Sequence, residues 1–440
     1  MYKVLFTSDY EIHGSGMGSP KDLVVDPTTR MLDQLDRYGG KISSEWFFSK
    51  ALQILNEAPE IYHAADRFIE AADWIVWQLC GVETRNACTA GYKAMVQDGT
   101  FPPREYFAAL HPDFADVVDS KMSREFVPLG ARAGGLTRQF AQWTGLNEGI
   151  AVAVANVDAH VTAPAVKATE PGVMVMIMGT STCHIMSGDT LGNVDGMCGV
   201  VRDGVIPGLY GYEAGQSGVG DIFAWFVNHA VPQEYYDAAR AAGLNIHEYL
   251  EQEAAKQKPG EHGLLALDWW NGNRSTLVDA DLTGLLIGAT LGTRAPDIYR
   301  ALIEATAFGT RVIIEAFEKR GIPVTELVAA GGLPEKNALL RQIYADVTGR
   351  AFKLAGSPQA PALGSAIHAA VAAGVYRDIG EAADCMGKLK DDVVAPIPEN
   401  QAVYDRVFAE YELLYDYFGR GANDVMKRLK QIKLETLEGA

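Results

Sequence analysis

The sequence predicts an α/β fold built from layers of helices and strands. Three observations favour this class: strand-like and helix-like segments alternate in the last third of the chain, its length is 440 residues, and its residues are 48% hydrophobic and 21% charged. Alternating strands and helices are typical of α/β layered domains, and the composition is that of a folded globular protein. The length indicates two or three domains with enough chain for a sizeable core.

In the first part of the chain, local patterns predict helices and then strands. Residues 1–37 are rich in turn-forming residues and show little periodicity. Apolar residues then recur at helical spacing over 42–55 and again over 65–79, which predicts two helices. An apolar, β-branched stretch over 150–158 predicts a strand, and the pattern over 173–186 predicts a hairpin with a tight polar turn.

The remainder of the chain is mainly helical, with short strands between the helices. Strands are predicted at 326–330 and 351–354. Helices are predicted at 221–231, 232–257, 295–319, 335–347, 362–373, 400–418 and 424–432. This alternation is the basis of the α/β prediction. The sequence shows no internal repeat of the length that is typical of solenoid proteins.

Charge and cysteine content exclude several classes of function. The chain has 38 basic and 56 acidic residues, a net charge of −18, so its long-range field repels nucleic acids and anionic membranes. The five cysteines are scattered and show no paired Cys-x-x-Cys spacing, which argues against disulfides and a structural zinc site. Without a signal peptide or a long apolar run, a cytoplasmic location is expected.

Two turns that contain glycine are candidate ligand sites. The segment GVMVMIMGTSTCHIM places Gly179 and Thr180 in a hairpin turn, where amides and hydroxyls could bind a phosphate. In ELVAAGGLPEKN, Gly331 and Gly332 end a strand and open a helix, which allows a flat ligand to approach bare backbone. Taken singly, each turn could equally need glycine for its geometry alone.

Several polar residues are candidates for chemistry. Asp158, in NVDAHV, follows an apolar strand and could be a general base or the N-cap of the next helix. The nearby His160 is more consistent with a buried structural histidine than with a metal ligand. Lys93 and Glu213 lie among aromatic residues and glycines that could contact a sugar or form core.

In their order along the chain, these motifs resemble the FGGY family of carbohydrate kinases. The similar segments extend from about residue 37 to the C-terminus, and within the family the match is best with members that phosphorylate L-ribulose. The segments that carry the resemblance are KISSEWFFSKALQILNEAPEIYHAADRFIEAADWIVWQLCG, NVDAHVTAPA, MGTSTCHIM, GYEAGQSGVGDIFAWF, DWWNGNRS, the Gly331-Gly332 turn and APALGSAIHAAVAAG.

The resemblance implies a fold and a reaction. The fold is the actin-like ATPase (ribonuclease H-like) fold, with an N-terminal domain at 1–165, a C-terminal domain at 166–440 and a cleft between them. The reaction is transfer of the γ-phosphoryl group of ATP, with Mg²⁺, to the 5-hydroxyl of L-ribulose. A kinase for xylulose or glycerol, or a non-catalytic homologue that binds only nucleotide or sugar, are the alternatives.

The same resemblance implies a role for individual residues. Asp158 corresponds to the catalytic base, and Lys93 and Glu213 correspond to ligands of the sugar. Gly179 and Thr180 correspond to a phosphate-binding hairpin. The positions that correspond to contacts on the adenosine side are Gly331, Gly332 and Asn337.

The resemblance also predicts a difference at the front of the chain. Members of the family open with a strand and an Asp-x-Gly-Thr-x-Ser-x-Arg hairpin, and nothing in residues 1–37 matches it. The first domain is therefore expected to be incomplete, with a slower phosphoryl transfer. Sheet edges exposed in this way favour association, for example as a homodimer.

Overall fold

The computed structural model of the chain describes residues 4–5, 35–40, 42 and 46–438. The prediction that the Asp-x-Gly-Thr-x-Ser-x-Arg hairpin is missing concerns residues 1–37, most of which lie outside the described residues. At the start of the described part, Val4–Leu5 pairs in parallel with Arg67–Phe68.

Helices and strands are numbered in chain order. The helices are α1 (Phe47–Glu57), α2 (Pro59–Ala64), α3 (Ala71–Cys80), α4 (Ala87–Tyr92), α5 (Arg104–Leu110), α6 (Val117–Lys121), α7 (Arg138–Thr144), α8 (Thr162–Ala165), α9 (Gly220–Ala230), α10 (Gln233–Ala241), α11 (Ile246–Ala254), α12 (Ala295–Lys319), α13 (Gly332–Lys336), α14 (Ala338–Thr348), α15 (Ala360–Ala372), α16 (Ile379–Met386), α17 (Pro398–Gly419) and α18 (Val425–Glu438). Within the described part of the chain, none of the helices is long and apolar enough to cross a membrane.

The strands are short and mostly lie between helices. They are β1 (Val4–Leu5), β2 (Arg67–Phe68), β3 (Arg85–Asn86), β4 (Phe126–Val127), β5 (Arg132–Gly135), β6 (Ala151–Ala153), β7 (Val173–Met178), β8 (Thr182–Gly188), β9 (Gly199–Arg202), β10 (Tyr210–Gln216), β11 (Leu265–Leu267), β12 (Leu285–Ile287), β13 (Glu326–Ala330), β14 (Phe352–Ala355) and β15 (Leu389–Val394).

The structure confirms the α/β class, and two predicted helices are each divided in two. The predicted helix at 232–257 is α10 and α11, because Gly243 adopts a left-handed φ of 70° and Asn245 begins a new helix with a capping box. The predicted helix at 335–347 begins earlier, at Gly332, and is interrupted at Asn337. In both cases a capping residue starts a second helix where periodicity alone suggested one.

The chain forms two compact units that are not continuous in sequence. The first unit contains Met1–Pro171, Ile185–Glu213 and Gln359–Lys388, and the second contains Gly172–His184, Ala214–Pro358 and Leu389–Ala440. The division into family domains at 1–165 and 166–440 stays a prediction.

An aromatic cluster forms the core of the first unit. The Phe48 ring centroid lies 4.6 Å from that of Phe107, 6.1 Å from that of Phe101 and 6.3 Å from that of Phe114. These rings are almost completely buried, and burial of such large side chains contributes strongly to stability. The core holds α1 in place, and the first amide of α1, that of Phe47, donates to the Lys93 carbonyl at 3.1 Å.

A mixed sheet organises the second unit. β7, β13 and β14 are parallel neighbours, and β15 pairs antiparallel with β14 at the edge. α12 is buried along much of its length. In the register of β7 and β13, Ile177 is opposite Ala330. Because parallel strands end at the same edge of a sheet, the turns that follow these two strands lie side by side.

Candidate active site

In the second unit, the turn after β13 requires glycine at its first position. Gly331 has a φ of 108°, and a Cβ atom at this position would lie 2.3 Å from the Met178 carbonyl oxygen. Only glycine adopts this backbone conformation without strain, and no side chain fits so close to β7. The backbone of the β13 turn is therefore held directly against the end of β7.

Gly332 and Asn337 differ from Gly331 in what surrounds them. Gly332 is exposed, and no atom lies within 4 Å of the position where its Cβ would be. This open space allows a flat group to approach the backbone. Asn337 is buried and is the N-cap of α14, where its Oδ1 accepts a hydrogen bond from the Leu340 amide at 2.7 Å.

The hairpin turn between β7 and β8 is attached to the start of a helix. The Gly179 carbonyl accepts from the Gly220 amide at 3.0 Å, and the Thr180 carbonyl accepts from the Val219 amide at 2.8 Å. These bonds place the positive end of the α9 helix dipole at the turn, while Gly179 and Thr180 themselves are exposed. The arrangement is suited to a phosphate, because it offers a positive potential without a basic side chain.

In the first unit, Asp158 lies in a rigid, exposed turn. Its Oδ1 accepts from the Ala159 amide at 2.7 Å, and its carbonyl accepts from the Thr162 hydroxyl at 3.1 Å. The N-cap of the following helix, α8, is Val161. Asp158 is thus not the N-cap of that helix, which was the structural alternative, and its carboxylate is accessible.

Helix α15 packs directly against the segment that follows this turn. At Gly364, a Cβ atom would lie only 1.7 Å from the carbonyl oxygen of Val161, so the two backbones are in direct contact. Both residues belong to the first unit. The small residue in APALGSAIHAAVAAG therefore allows close packing against the segment that carries Asp158.

Lys93 ends helix α4 and lines a cavity. It is the C-cap of α4, and its amide donates to the Thr89 carbonyl at 2.9 Å. The cavity is small, with room for about one water molecule, and is lined mainly by apolar residues, among them Trp46 and Tyr106. A cationic side chain in such surroundings can orient a polar ligand.

Glu213 is buried beside a histidine. Its Oε2 lies 3.3 Å from Nε2 of His160, and both side chains are at most 4% exposed. The ring nitrogens of His160 make no hydrogen bond, so the contact is an ion pair. Burial alone lowers the pKa of an imidazole, but Cys88 and Glu213 beside the ring outweigh it and raise the pKa of His160 to about 10.

Tyr92 brings the segments of the first unit together. Its ring centroid lies 4.5 Å from that of His160. Tyr92 precedes Lys93, and His160 follows Asp158 by two positions. The contacts among Tyr92, His160 and Glu213 therefore bring together the three segments that carry the predicted catalytic base and the predicted sugar ligands.

A buried polar network holds the start of α4. Asp73 Oδ1 accepts from Nδ2 of Asn86 at 2.7 Å, and Oδ1 of Asn86 accepts from the Thr89 amide at 2.8 Å. Burial raises the pKa of Asp73 to about 6, although Asn86 and Arg85 act in the opposite direction. This network fixes the helix that ends at Lys93.

A multidentate metal site is not part of the described structure. Within the described ranges, no group of three or more His, Cys, Asp or Glu side chains could hold a metal ion. Mg²⁺ in kinases is bound mainly by phosphate oxygens and water with one or two carboxylates, so it needs no such group. The open backbone at Gly332 and the exposed turn at Gly179 and Thr180 leave room for a flat group and for a phosphate.

These features define a sugar kinase. The model of the FGGY family of carbohydrate kinases, C-terminal domain, matches residues 174–373. Ribulokinase from Bacillus licheniformis is 58% identical over 404 residues, covering 91% of this chain and 73% of that protein. The chain belongs to the FGGY family of carbohydrate kinases.

Within the family, the similar proteins include further ribulokinases. The one from Mycolicibacterium smegmatis is 58% identical over 399 residues, which is 91% of this chain and 70% of that protein. The one from Staphylococcus aureus is 38% identical over 404 residues, or 91% of this chain and 73% of that protein. Membership of a carbohydrate kinase family implies the use of ATP and a sugar.

Solved structures show the same fold. Xylulose kinase from Lactobacillus acidophilus has a TM-score of 0.77 and 18% identity, over 91% of this chain and 78% of that one. Glycerol kinase from Plasmodium falciparum, solved with ADP, has a TM-score of 0.72 and 14% identity, over 89% and 76% of the two chains. The fold is thus the actin-like fold of the FGGY sugar kinases, as the sequence predicts.

The partners of Glu213 could not be identified from the sequence, in which His160 is most consistent with a structural histidine and neither Tyr92 nor Cys88 belongs to a motif with Glu213. The one usable signal in the sequence is the set of glycines Gly199, Gly204 and Gly211. In the structure, a Cβ atom at any of these positions would lie within 3 Å of the Tyr92 ring or hydroxyl. Glycines grouped in this way indicate a large side chain packed against a strand pair.

Proposed function

We propose that the chain transfers the γ-phosphoryl group of ATP to the 5-hydroxyl of L-ribulose, which yields L-ribulose 5-phosphate and ADP. The observation that carries this proposal is the 58% identity with ribulokinase over 91% of the chain. In this proposal the enzyme acts in the cytoplasm, in the catabolism of L-arabinose.

Asp158 is the proposed general base. Its Oδ1 is oriented by the Ala159 amide, and Oδ2 would accept the proton of the 5-hydroxyl as that oxygen attacks the γ-phosphorus. The bond between the γ-phosphorus and the β,γ-bridging oxygen breaks. ADP leaves with the electron pair of this bond, and so with the negative charge, on that oxygen. The rigid turn supports this role, because phosphoryl transfer depends mostly on positioning.

Lys93 and Glu213 are the proposed sugar ligands. An ammonium group donates hydrogen bonds and an ionised carboxylate accepts them, so the two together bind opposite ends of hydroxyl dipoles. Their placement on segments joined by Tyr92 and His160 supports this role. Neutral sugars are the expected class of substrate.

Backbone groups of the second unit are the proposed ligands of ATP. The phosphates would bind at Gly179 and Thr180, near the α9 N-terminus, and the adenosine would lie over Gly331 and Gly332 with Asn337 beside it. Mg²⁺ bound with ATP would neutralise the charge that develops on the phosphates. With a net charge of −18, the chain relies on such local groups to hold an anion.

The alternatives receive less support. Xylulose and glycerol kinases resemble this chain only in fold, at 18% and 14% identity. A non-catalytic homologue would not need an accessible, oriented carboxylate at Asp158. Ribulose phosphorylation is therefore the function we expect.

A coupled assay of ADP release tests the proposal. L-ribulose, D-xylulose and glycerol are compared by kcat/KM with the full chain, and L-ribulose is expected to be the best substrate. Asp158→Asn should lower kcat by about 10²- to 10⁴-fold, since it removes the general base. Asp384→Asn, at another exposed aspartate of the first unit, is the control and should change kcat less than about twofold.

Two results would contradict the proposal. One is the absence of ADP release from L-ribulose, or a higher kcat/KM with another sugar of the panel. The other is an Asp158→Asn variant with the turnover of the wild-type chain.

A further inference from the structure

We propose that His160 is a positioning residue that fixes the carboxylate of Glu213 for hydrogen bonding to sugar hydroxyl groups. This inference rests on the proposed function, because it takes Glu213 as a ligand of the sugar. It adds a residue that is not itself in contact with substrate but determines how well a contacting residue works.

The pair has a constrained geometry. Nε2 of His160 and Oε2 of Glu213 are 3.3 Å apart, and the two side chains are 1% and 4% exposed. Glu213 lies on β10, and it is paired with Gly199 of the neighbouring strand β9. A carboxylate held by a strand and an imidazole has little freedom, so the direction of its oxygens is set before a ligand arrives.

The imidazole itself is immobilised. Tyr92 packs against the His160 ring at 4.5 Å between centroids. Tyr92 in turn occupies a slot whose walls are Gly199, Gly204 and Gly211, at each of which a Cβ would lie 2.6 to 2.9 Å from the tyrosine. Any larger residue at these positions would push Tyr92 and, through it, His160 out of place.

Charge also couples the two side chains. A carboxylate that is removed from water takes up a proton unless a cation is close. The groups that face His160 are Glu213 from β10 and Cys88 and Tyr92 from α4. Burial lowers the pKa of the imidazole, but Cys88 and Glu213 outweigh it and raise that pKa to about 10. A positive charge on the imidazole favours the ionised form of the carboxylate beside it.

The charge state determines what Glu213 can bind. An ionised carboxylate only accepts hydrogen bonds, whereas a neutral carboxyl group also donates one. Glu213 in its ionised form is thus a receptor for hydroxyl groups and repels an anionic sugar. A purely structural ion pair would contribute to stability and leave sugar affinity unchanged, so affinity separates the two roles.

A double-mutant cycle tests the inference. The variants are His160→Gln, Glu213→Gln and the double variant, assayed with L-ribulose and ATP. His160→Gln releases the carboxylate from its position and Glu213→Gln removes its charge, so each single variant should raise KM for L-ribulose about 10- to 100-fold, with KM for ATP within about twofold of wild type. Because His160 acts through Glu213, the double variant should be no worse than Glu213→Gln alone.

Two controls accompany the cycle. His368→Gln removes another buried histidine of the first unit, one whose Nδ1 contacts the Gly364 carbonyl, and should leave KM for L-ribulose within about twofold. Calorimetry of L-ribulose binding to the wild-type chain, between pH 7 and about 10.5, needs no variant. Affinity should weaken near pH 10 as the imidazole loses its proton.

The outcomes separate this inference from the proposed function. If the wild-type chain releases ADP from L-ribulose but the two substitutions act independently, or sugar affinity is flat across the pH range, the positioning role is wrong and the function stands. If the wild-type chain releases no ADP from L-ribulose, both are wrong.

Discussion

The two units of the molecule present their candidate ligand groups in different ways. In the first unit the groups are side chains, Asp158, Lys93 and Glu213, and the last of these is buried with a counter-charge on His160. In the second unit they are mostly backbone atoms of Gly179, Thr180, Gly331 and Gly332. In the proposed function, the first unit selects the sugar by charge and hydrogen-bond direction, and the second selects the nucleotide by the shape of bare backbone.

This difference has a physical reason. A neutral sugar offers only hydroxyl groups, so specific binding needs donors and acceptors with fixed directions. A nucleotide brings its own charge and a flat base, so amides, a helix end and open space are sufficient. Substitutions in the first unit should therefore change how the sugar is bound, and those in the second should change the stability of the fold or the binding of ATP.

The largest effect is expected in the second unit, at Gly331. In Gly331→Ala, a φ of 108° and a Cβ 2.3 Å from the Met178 oxygen combine strain with overlap. We expect a loss of about 4 kcal/mol in the free energy of unfolding, measured by urea denaturation. Gly332→Ala is the matched control, because open space surrounds its Cβ position.

The two glycines separate folding from ligand binding. Gly332→Ala should keep the stability of the wild-type chain within about 1 kcal/mol and raise KM for ATP about tenfold, since the new methyl group occupies the space left for the nucleotide. Equal stability of the two variants would show that the β13 turn is not constrained as described.

In the first unit, the corresponding backbone contact is at Gly364. In Gly364→Ala, the added methyl group overlaps the Val161 carbonyl, so α15 must move away from the segment that carries Asp158. We expect a loss of about 3 kcal/mol in unfolding free energy and a lower kcat, with KM for ATP unchanged. Ser365→Ala, one position along the same helix, should change stability by less than about 0.5 kcal/mol.

An unchanged kcat in a folded Gly364→Ala chain would contradict the link between α15 and the catalytic turn. Such a result would mean that the Asp158 segment keeps its position by other contacts.

Much of the second unit follows from its sequence, whereas the first unit is harder to predict. The sequence-based bounds of β13 and α12 agree with the structure, because each has a clear apolar period and ends at a charged or glycine residue. The turn at Gly331 could be located for the same reason. These features depend on neighbours along the chain, which a sequence displays directly.

The site in the first unit depends on contacts between distant segments. β10 contains Gly211 and Gly215 and lacks the alternation of a typical strand, because its glycines make room for Tyr92 and for Arg274. The pairing of His160 with Glu213 leaves no periodic trace either. Resemblance to a family indicates which residues are candidates to bind the sugar, but only the structure shows which residues surround these candidates.

Each unit contains a buried aspartate that makes stability depend on pH. In the second unit, burial raises the pKa of Asp268 from 3.8 to about 6, and hydrogen bonds from Gln216 and Tyr411 only partly offset this. Between about pH 4 and 6 the folded chain keeps a proton that the unfolded chain releases. Unfolding free energy should therefore fall by about 2 kcal/mol as the pH rises through this window.

Asp268→Asn should remove this part of the pH dependence, as measured by melting temperature at several pH values. The comparison is Asp73→Asn in the first unit, where the neighbour is Arg85. Asp73 acts on the buried Arg85 guanidinium more strongly than Glu70 and Glu83 do, so Asp73→Asn weakens the charge compensation of this guanidinium and should destabilise at every pH. Identical pH profiles of the two variants would contradict this distinction.

The smallest expected effect comes from two asparagines with the same local role. Asn86 is the N-cap of α4 and Asn337 is the N-cap of α14, each accepting an amide hydrogen bond at 2.8 and 2.7 Å. Serine also caps helices well, so Asn→Ser preserves this role in both. Asn86 additionally donates to the buried Asp73, and Asn86→Ser should therefore cost about 1.5 kcal/mol.

Asn337→Ser should cost less than about 0.5 kcal/mol, because its capping bond survives, and any further effect must come from ligand binding. If Asn337 also contacts adenosine, KM for ATP rises severalfold while the melting temperature and KM for L-ribulose stay unchanged. If KM for ATP does not move, Asn337 is a cap only. The nucleotide is then recognised by glycine backbone alone, and the contrast between the two units becomes sharper still.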